Sequence, residues 1–99
     1  NESLAVALLT NLLKNAFVHN IDGGHIRITV TKNGITFRNS GVEHPLNKEH
    51  IFERFYQGSK KEGSTGLGLA IADSICRLQH LNIKYYFEQN EHCFEISQS

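Results

Sequence analysis

Apolar residues at positions 4, 5, 8, 9, 12, 13, 16 and 17 follow the i, i+3, i+4 repeat of a helix with one apolar side. They predict a helix from Ser3 to about His19. Asn11 and Asn15 share a face bordering that stripe, four residues apart. After "DGG", the stretch "HIRITVTK" alternates Ile26, Ile28 and Val30 with polar residues, as a half-buried strand does. Asn33 and Gly34 predict a turn into a second strand, "ITFRN", and hence a hairpin. Residues 40–47 carry a Gly, the only Pro and few apolar side chains, which predicts loop. In "KEHIFERFY", Ile51, Phe52, Phe55 and Tyr56 stand at helical spacing, enough for a short helix. The polar "QGSKKEGST" cannot bury itself, and exposed loops of this kind often serve as lids. Apolar positions from Leu67 predict a second long helix ending near Gln79. "NIKYYFEQ" and "HCFEISQ" then form a closing hairpin around Asn90 and Glu91. The order predicts an α+β two-layer sandwich with helices packed on one sheet face.

Composition narrows the function without naming one. The 99 residues suit a single domain over 1–99, and a formal net charge of zero excludes a polybasic nucleic-acid arm or a disordered acidic tail. No apolar run approaches the roughly 20 residues that span a bilayer, and no signal-peptide pattern opens the chain. A soluble piece is expected. Cys76 and Cys93 lie far apart within apolar elements and lack a CxxC partner, so two buried reduced thiols are expected, in keeping with a cytoplasmic protein. The six histidines show no recognised metal-ligand spacing, and no zinc site is expected.

One stretch carries a chemical signal. "EGSTGLGLAIADSIC" places Gly66 and Gly68 at the start of the second long helix, where interior glycine costs roughly 0.5 to 1 kcal/mol relative to alanine. The unpaired N–H groups of a helix's first turn, with the positive end of its dipole, bind phosphate, and glycine lets the phosphate approach. Close packing of helix on sheet is the alternative use. The following Leu69, Ala70 and Ile71 exclude a P-loop, and the preceding polar stretch does not fit a dinucleotide fold. What remains is a phosphate site under a loop, with its cation held elsewhere. The side-chain oxygens of Asn11 and Asn15 are neutral, hard ligands suited to Mg²⁺, although solvent exposure alone also explains such a pair.

The strings "NLLKNAFVHN", "NSG", "IFERFYQG" and "STGLGLAIADSIC" resemble, in order and spacing, the N, G1, F and G2 boxes of bacterial sensor histidine kinases. The resemblance runs from Leu4 to Ile96 and is to the catalytic and ATP-binding domain, whose fold is shared with Hsp90, DNA gyrase B and MutL. It implies a Bergerat-type fold with a mixed, mostly antiparallel sheet, lacking here the strand that normally precedes the first helix. It also implies ATP and Mg²⁺ as cofactors, with Asn11 and Asn15 as catalytic residues. Asn15 matches the asparagine that coordinates Mg²⁺ under the triphosphate. Asn11 stands where ATP-hydrolysing relatives carry the glutamate that activates water. His19 matches a position beside the nucleotide, Asn39 and Gly41 the adenine site, and Tyr56, with Phe52 and Phe55, the F box. Thr65, Gly66, Leu67, Gly68 and Leu69 match the lid-to-helix backbone against the phosphates.

The departures point to weaker nucleotide binding. Asn39 replaces the aspartate that usually accepts the adenine amino hydrogen, Val18 a phosphate-contacting lysine, and Gln57 an arginine. Glu43 and Ser64 replace box glycines. Lys60 and Lys61 on the lid, or Lys14 and Arg54, are candidate substitutes for the missing cations, although a solvated surface charge alone also explains each. No histidine here is followed by Glu or Asp, so the resemblance places the phosphoacceptor on a dimerisation domain outside this chain, with a response regulator as the downstream partner. The expected whole is a longer kinase anchored in the bacterial inner membrane, from which this cytoplasmic domain is excised, exposing a sheet edge or an apolar patch. An anti-sigma-type serine kinase, a degenerate pocket used as an interaction module, and a nucleotide-switched clamp are the competing expectations.

Overall fold

The computed structural model describes residues 2–43, 45–46, 49–53 and 68–98. Among them are two helices, α1 (Glu2–Val18) and α2 (Gly68–Leu78), and four strands: β1 (Ile26–Thr31), β2 (Gly34–Asn39), β3 (Leu81–Glu88) and β4 (Glu91–Gln98). The strands form one sheet in the order β1-β2-β4-β3, and all three pairings are antiparallel. α1 and α2 pack on each other, α1 against β2 and α2 against β3. The architecture is therefore the expected α+β sandwich.

Both long helices and both hairpins lie where periodicity places them, and the differences are local. Residues 49–53 form turns in place of continuous helix, with the Glu53 N–H bonded to the His50 carbonyl at 2.9 Å. The remainder of that expected helix, and the polar lid after it, lie outside the described residues. The first hairpin turns at Lys32 and Asn33, because Thr31 pairs directly with Gly34. Gly34 is thus a strand residue, and any Cβ there would run into the Ile96 carbonyl of β4. Its glycine answers a close strand approach rather than the turn first assigned to it.

The core fills the space between helices and sheet. Leu8 and Leu12 of α1, Ala72, Ile75 and Cys76 of α2, and Ile51 meet Phe37, Tyr85, Phe94 and Ile96 of the sheet. Phe52 sets its ring edge-on to Phe94 at 6.4 Å, so this F-box aromatic packs against the core. Cys76 and Cys93 are buried and free, and burial pushes both thiols up. The apolar side of α1 is only half covered: Val6, Leu9, Leu13 and Phe17 remain exposed, as do Ile28 and Val30 on the edge strand β1. No helix among the described residues is long and apolar enough to cross a membrane.

The β3–β4 hairpin turns on Gln89 and Asn90, with φ of 53° and 59°. Two central residues at positive φ define the I′ geometry that Asn-Gly fits best. Gln89→Asn combined with Asn90→Gly is expected to raise the melting temperature by about 4–8 °C, the shift corresponding to roughly 1 kcal/mol in a domain of this size. Thermal denaturation followed by circular dichroism checks it; an unchanged or lower midpoint contradicts the turn assignment.

Candidate functional site

The end of β2 is tied to the chain leaving α1. The Ser40 hydroxyl accepts the His25 N–H at 2.8 Å, and the Ser40 N–H donates to the His25 carbonyl at 3.2 Å. Asn20 joins this knot, accepting from Ser40 Oγ and from the Ile21 N–H while its amide nitrogen donates to the His25 carbonyl. The knot brings the backbone of His19 against Gly41. A Cβ on Gly41 would lie 2.9 Å from the His19 carbonyl oxygen and 3.0 Å from His92 Cδ2. Only glycine lets the chain pass between these two groups.

Asn39, immediately before the knot, is 2 % exposed. Its Nδ2 donates to the Ser40 carbonyl at 2.8 Å, which fixes the amide orientation, and its Oδ1 is buried with no hydrogen-bond partner among the described residues. An unmet buried acceptor costs about 1–3 kcal/mol, so this atom calls for a donor that the described chain does not supply.

The second part of the site lies where α1 meets α2. Asn11 is half-buried and donates through Nδ2 to the Ala7 carbonyl at 2.8 Å. A Cβ on Gly68, the first residue of α2, would sit 3.6 Å from Asn11 Oδ1. The amide oxygen is thus held beside the start of α2, whose first N–H groups carry the positive end of the helix dipole. Asn15, also half-buried, lies one turn further along α1. A neutral amide oxygen such as that of Asn15 suits a Mg²⁺ ion that keeps several waters and shares phosphate oxygens, rather than one caged by protein carboxylates. Among the described residues no group of three His, Cys, Asp or Glu could hold a metal.

Of the sequence-derived candidates, the structure thus joins Asn11 with Gly68, and His19 with Gly41. Leu69 is half-buried within α2. Tyr56, Lys60, Lys61, Thr65, Gly66 and Leu67 lie outside the described residues, as do Gln57 and Ser64. Sequence reasoning did not single out Asn20, Ser40, Tyr85 or His92. The parity of β4 carries a signal for the last: position 92 shares its face with the core residues Phe94 and Ile96.

Residues 1–97 match the family described as histidine kinase-, DNA gyrase B- and HSP90-like ATPase, and the chain belongs to it. Within that family its relatives are sensor kinases, and it is a catalytic ATP-binding domain of the histidine-kinase type. It is 44 % identical over 84 residues to the sensor histidine kinase RppB of Synechocystis, covering 76 % of this chain and 18 % of RppB. It is 40 % identical over 90 residues to the heme sensor protein HssS of Staphylococcus aureus, covering 86 % of this chain and 20 % of HssS. The chain therefore spans about a fifth of these relatives' length. The solved catalytic domain of histidine kinase ThkA superimposes with a TM-score of 0.79 at 26 % identity, over 97 % of this chain and 66 % of that one. The mycobacterial sensor histidine kinase MprB shares the fold, with a TM-score of 0.74 at 24 % identity, over 97 % and 72 % of the two chains.

Proposed function

We propose that this domain binds ATP with Mg²⁺ and presents the γ-phosphoryl group to a histidine on a dimerisation domain of a longer sensor kinase, for relay to an aspartate of a response regulator. The observation that carries the reading is the buried, unpartnered Oδ1 of Asn39. Adenine offers an amino donor to such an acceptor, whereas guanine turns a carbonyl oxygen toward it. The Nδ2 bond to Ser40 keeps the oxygen, and not the nitrogen, available.

Asn15, with Asn11 nearby, would hold the Mg²⁺, which would supply charge neutralisation at the phosphate oxygens. The N–H groups opening α2 take up further phosphate charge. Asn11 has no basic atom with which to take a proton from water, which favours a protein acceptor over hydrolysis. The attacking imidazole nitrogen forms the new bond to the γ-phosphorus, the bond to the β–γ bridging oxygen breaks, and ADP leaves. Membrane attachment and the cytoplasmic setting belong to the longer kinase in this reading.

Calorimetric titration tests it. ATP with Mg²⁺ is expected to bind and GTP to bind at least tenfold more weakly. Asn39→Leu should weaken ATP by about tenfold, the equivalent of one hydrogen bond, while leaving the melting temperature nearly unchanged, because losing the unmet Oδ1 offsets losing the Nδ2 bond to the Ser40 carbonyl. No binding of ATP by the unmodified chain would overturn the proposal and leave a signalling module without nucleotide.

A further inference from the structure

The row of the sheet containing Asn39 continues, through directly paired positions, into His92 of β4 and Phe87 of β3. All three point to the face that carries the helices, since the next row on the same face, two residues along each strand, holds the core residues Phe37, Phe94 and Tyr85. His92 is 4 % exposed, and its ring lies 4.9 Å from that of Phe87 and 5.9 Å from that of Tyr85, nearly parallel to the latter. A histidine this deep has both ring nitrogens engaged. Nε2 is 2.7 Å from the Val42 carbonyl oxygen, and Nδ1 is 2.7 Å from the Tyr85 hydroxyl. A carbonyl only accepts, so Nε2 bears the proton, and in the neutral ring Nδ1 accepts from the Tyr85 O–H. The same hydroxyl oxygen accepts the Leu46 N–H at 2.9 Å.

These bonds form one directed chain from the Leu46 N–H through Tyr85 and His92 to the Val42 carbonyl. It grips at two backbone points the segment that leaves the adenine-site residues Asn39 and Gly41. The ring carbon of His92 meanwhile sets how closely Gly41 approaches the sheet. Neither side chain belongs to the phosphate seat at Asn11 and Gly68.

We propose that Tyr85 and His92 are positioning residues for the nucleotide base, holding the backbone at Val42 and Leu46 so that the pocket beside Asn39 has a fixed shape. The inference rests on the nucleotide-binding reading above and assigns to it two residues that act through the backbone. Its energetic logic is preorganisation: a loop already held by two hydrogen bonds loses less freedom when the base enters.

Calorimetry with ATP and ITP, on the unmodified 99-residue chain and three variants, tests it. ITP has the same triphosphate but carries a carbonyl oxygen where adenine carries its amino group. Tyr85→Phe keeps the ring against Phe94, at 5.1 Å, and removes only the hydroxyl. It is expected to weaken ATP about tenfold while changing ITP less than threefold, so that base discrimination narrows. His92→Phe should behave in the same way. His92→Gln offers one acceptor and one donor in place of the two ring nitrogens, and is expected to recover most of the ATP affinity. Unchanged ATP affinity in Tyr85→Phe overturns the inference, and so does an equal loss for both nucleotides, which marks a merely structural role. If the unmodified chain binds no ATP, the function falls and this inference with it; if it binds and the variants match it, only the inference falls.

Discussion

Asn15→Ala is expected to lower the affinity for ATP in the presence of Mg²⁺ by about two orders of magnitude, the scale of a lost contact to a charged group. Without Mg²⁺, the substituted and original chains should bind ATP alike, because in the proposed site the missing oxygen would serve the ion and not the base. The substitution lies inside α1, where alanine is the better helix former, so the melting temperature should hold or rise slightly. This separates loss of the site from loss of the fold. Titration with and without the ion reads both quantities, and an affinity that falls equally in the two conditions would remove Asn15 from the ion. Asn11→Ala provides the contrast. Its oxygen abuts Gly68 at the start of α2, so its loss should weaken ATP with or without the ion.

The two parts of the site differ in how they are built, and this decides what each tolerates. At the proposed phosphate seat, the contributors come from two packed helices, so their spacing is fixed by the core beneath Leu12 and Ala72. At the proposed base site, Asn39 ends β2 and Gly41 lies on the chain that leaves it. There the knot of Asn20, His25 and Ser40 on one side and the Tyr85–His92 pair on the other replace regular structure. The neutral Asn39 fits this arrangement for a local reason. An aspartate would turn a second oxygen toward the Ser40 carbonyl, where Nδ2 now donates at 2.8 Å. In the proposed base site the amide thus gives up the charge an aspartate would offer and gains a fixed orientation.

Periodicity made most of the fold legible. The eight apolar positions of α1 and the alternation in four strands are local signals, and the elements form where those signals stand. Asn11, Asn15 and Gly68 could be picked out as candidates because helical spacing and a glycine-led helix have direct chemical meanings. The adjacency of Asn11 to Gly68 came only with the packing of α1 on α2. Gly34 was misread because an Asn-Gly pair is a strong turn signal, while the constraint acting on it comes from Ile96 of β4, remote in sequence. His92, Tyr85 and Glu91 were missed for the same reason: their partners at Val42, Leu46, His25 and Arg27 are remote in sequence, and no spacing rule connects them.

Glu91 carries the second large effect, on the face of the sheet opposite the helices. Arg27 and Arg38 stand directly opposite each other on β1 and β2, a pairing that repels. The Glu91 carboxylate, its side chain only 5 % exposed, relieves it. It accepts from Arg27 Nη2 and Nε, the latter at 3.2 Å, lies 2.7 Å from His25 Nε2, and stands 3.7 Å from Arg38 Nη1. The Arg27 hydrogen bond holds its carboxyl below the ordinary value, against the opposing effect of burial, with His25 adding to the depression. A group depressed by folding contributes stability that is complete above the unfolded-chain value of about 4.5 and is lost as pH falls through the lower folded value. Glu91→Gln keeps the shape and removes the charge, leaving two arginines face to face beside Cys93. It is expected to cost about 1.5–3 kcal/mol at neutral pH, a fall of roughly 10 °C in the melting temperature. Below pH 4.5 the original chain should lose stability steadily while the E91Q chain loses less, so the two curves converge in acid. Lys84→Ala, at an exposed pair with Glu95 3.5 Å away, should change little at any pH. Parallel curves for the original and E91Q chains from neutral pH into acid would mean that the carboxylate does not act through its charge, and the repulsion between Arg27 and Arg38 would then need another source of relief.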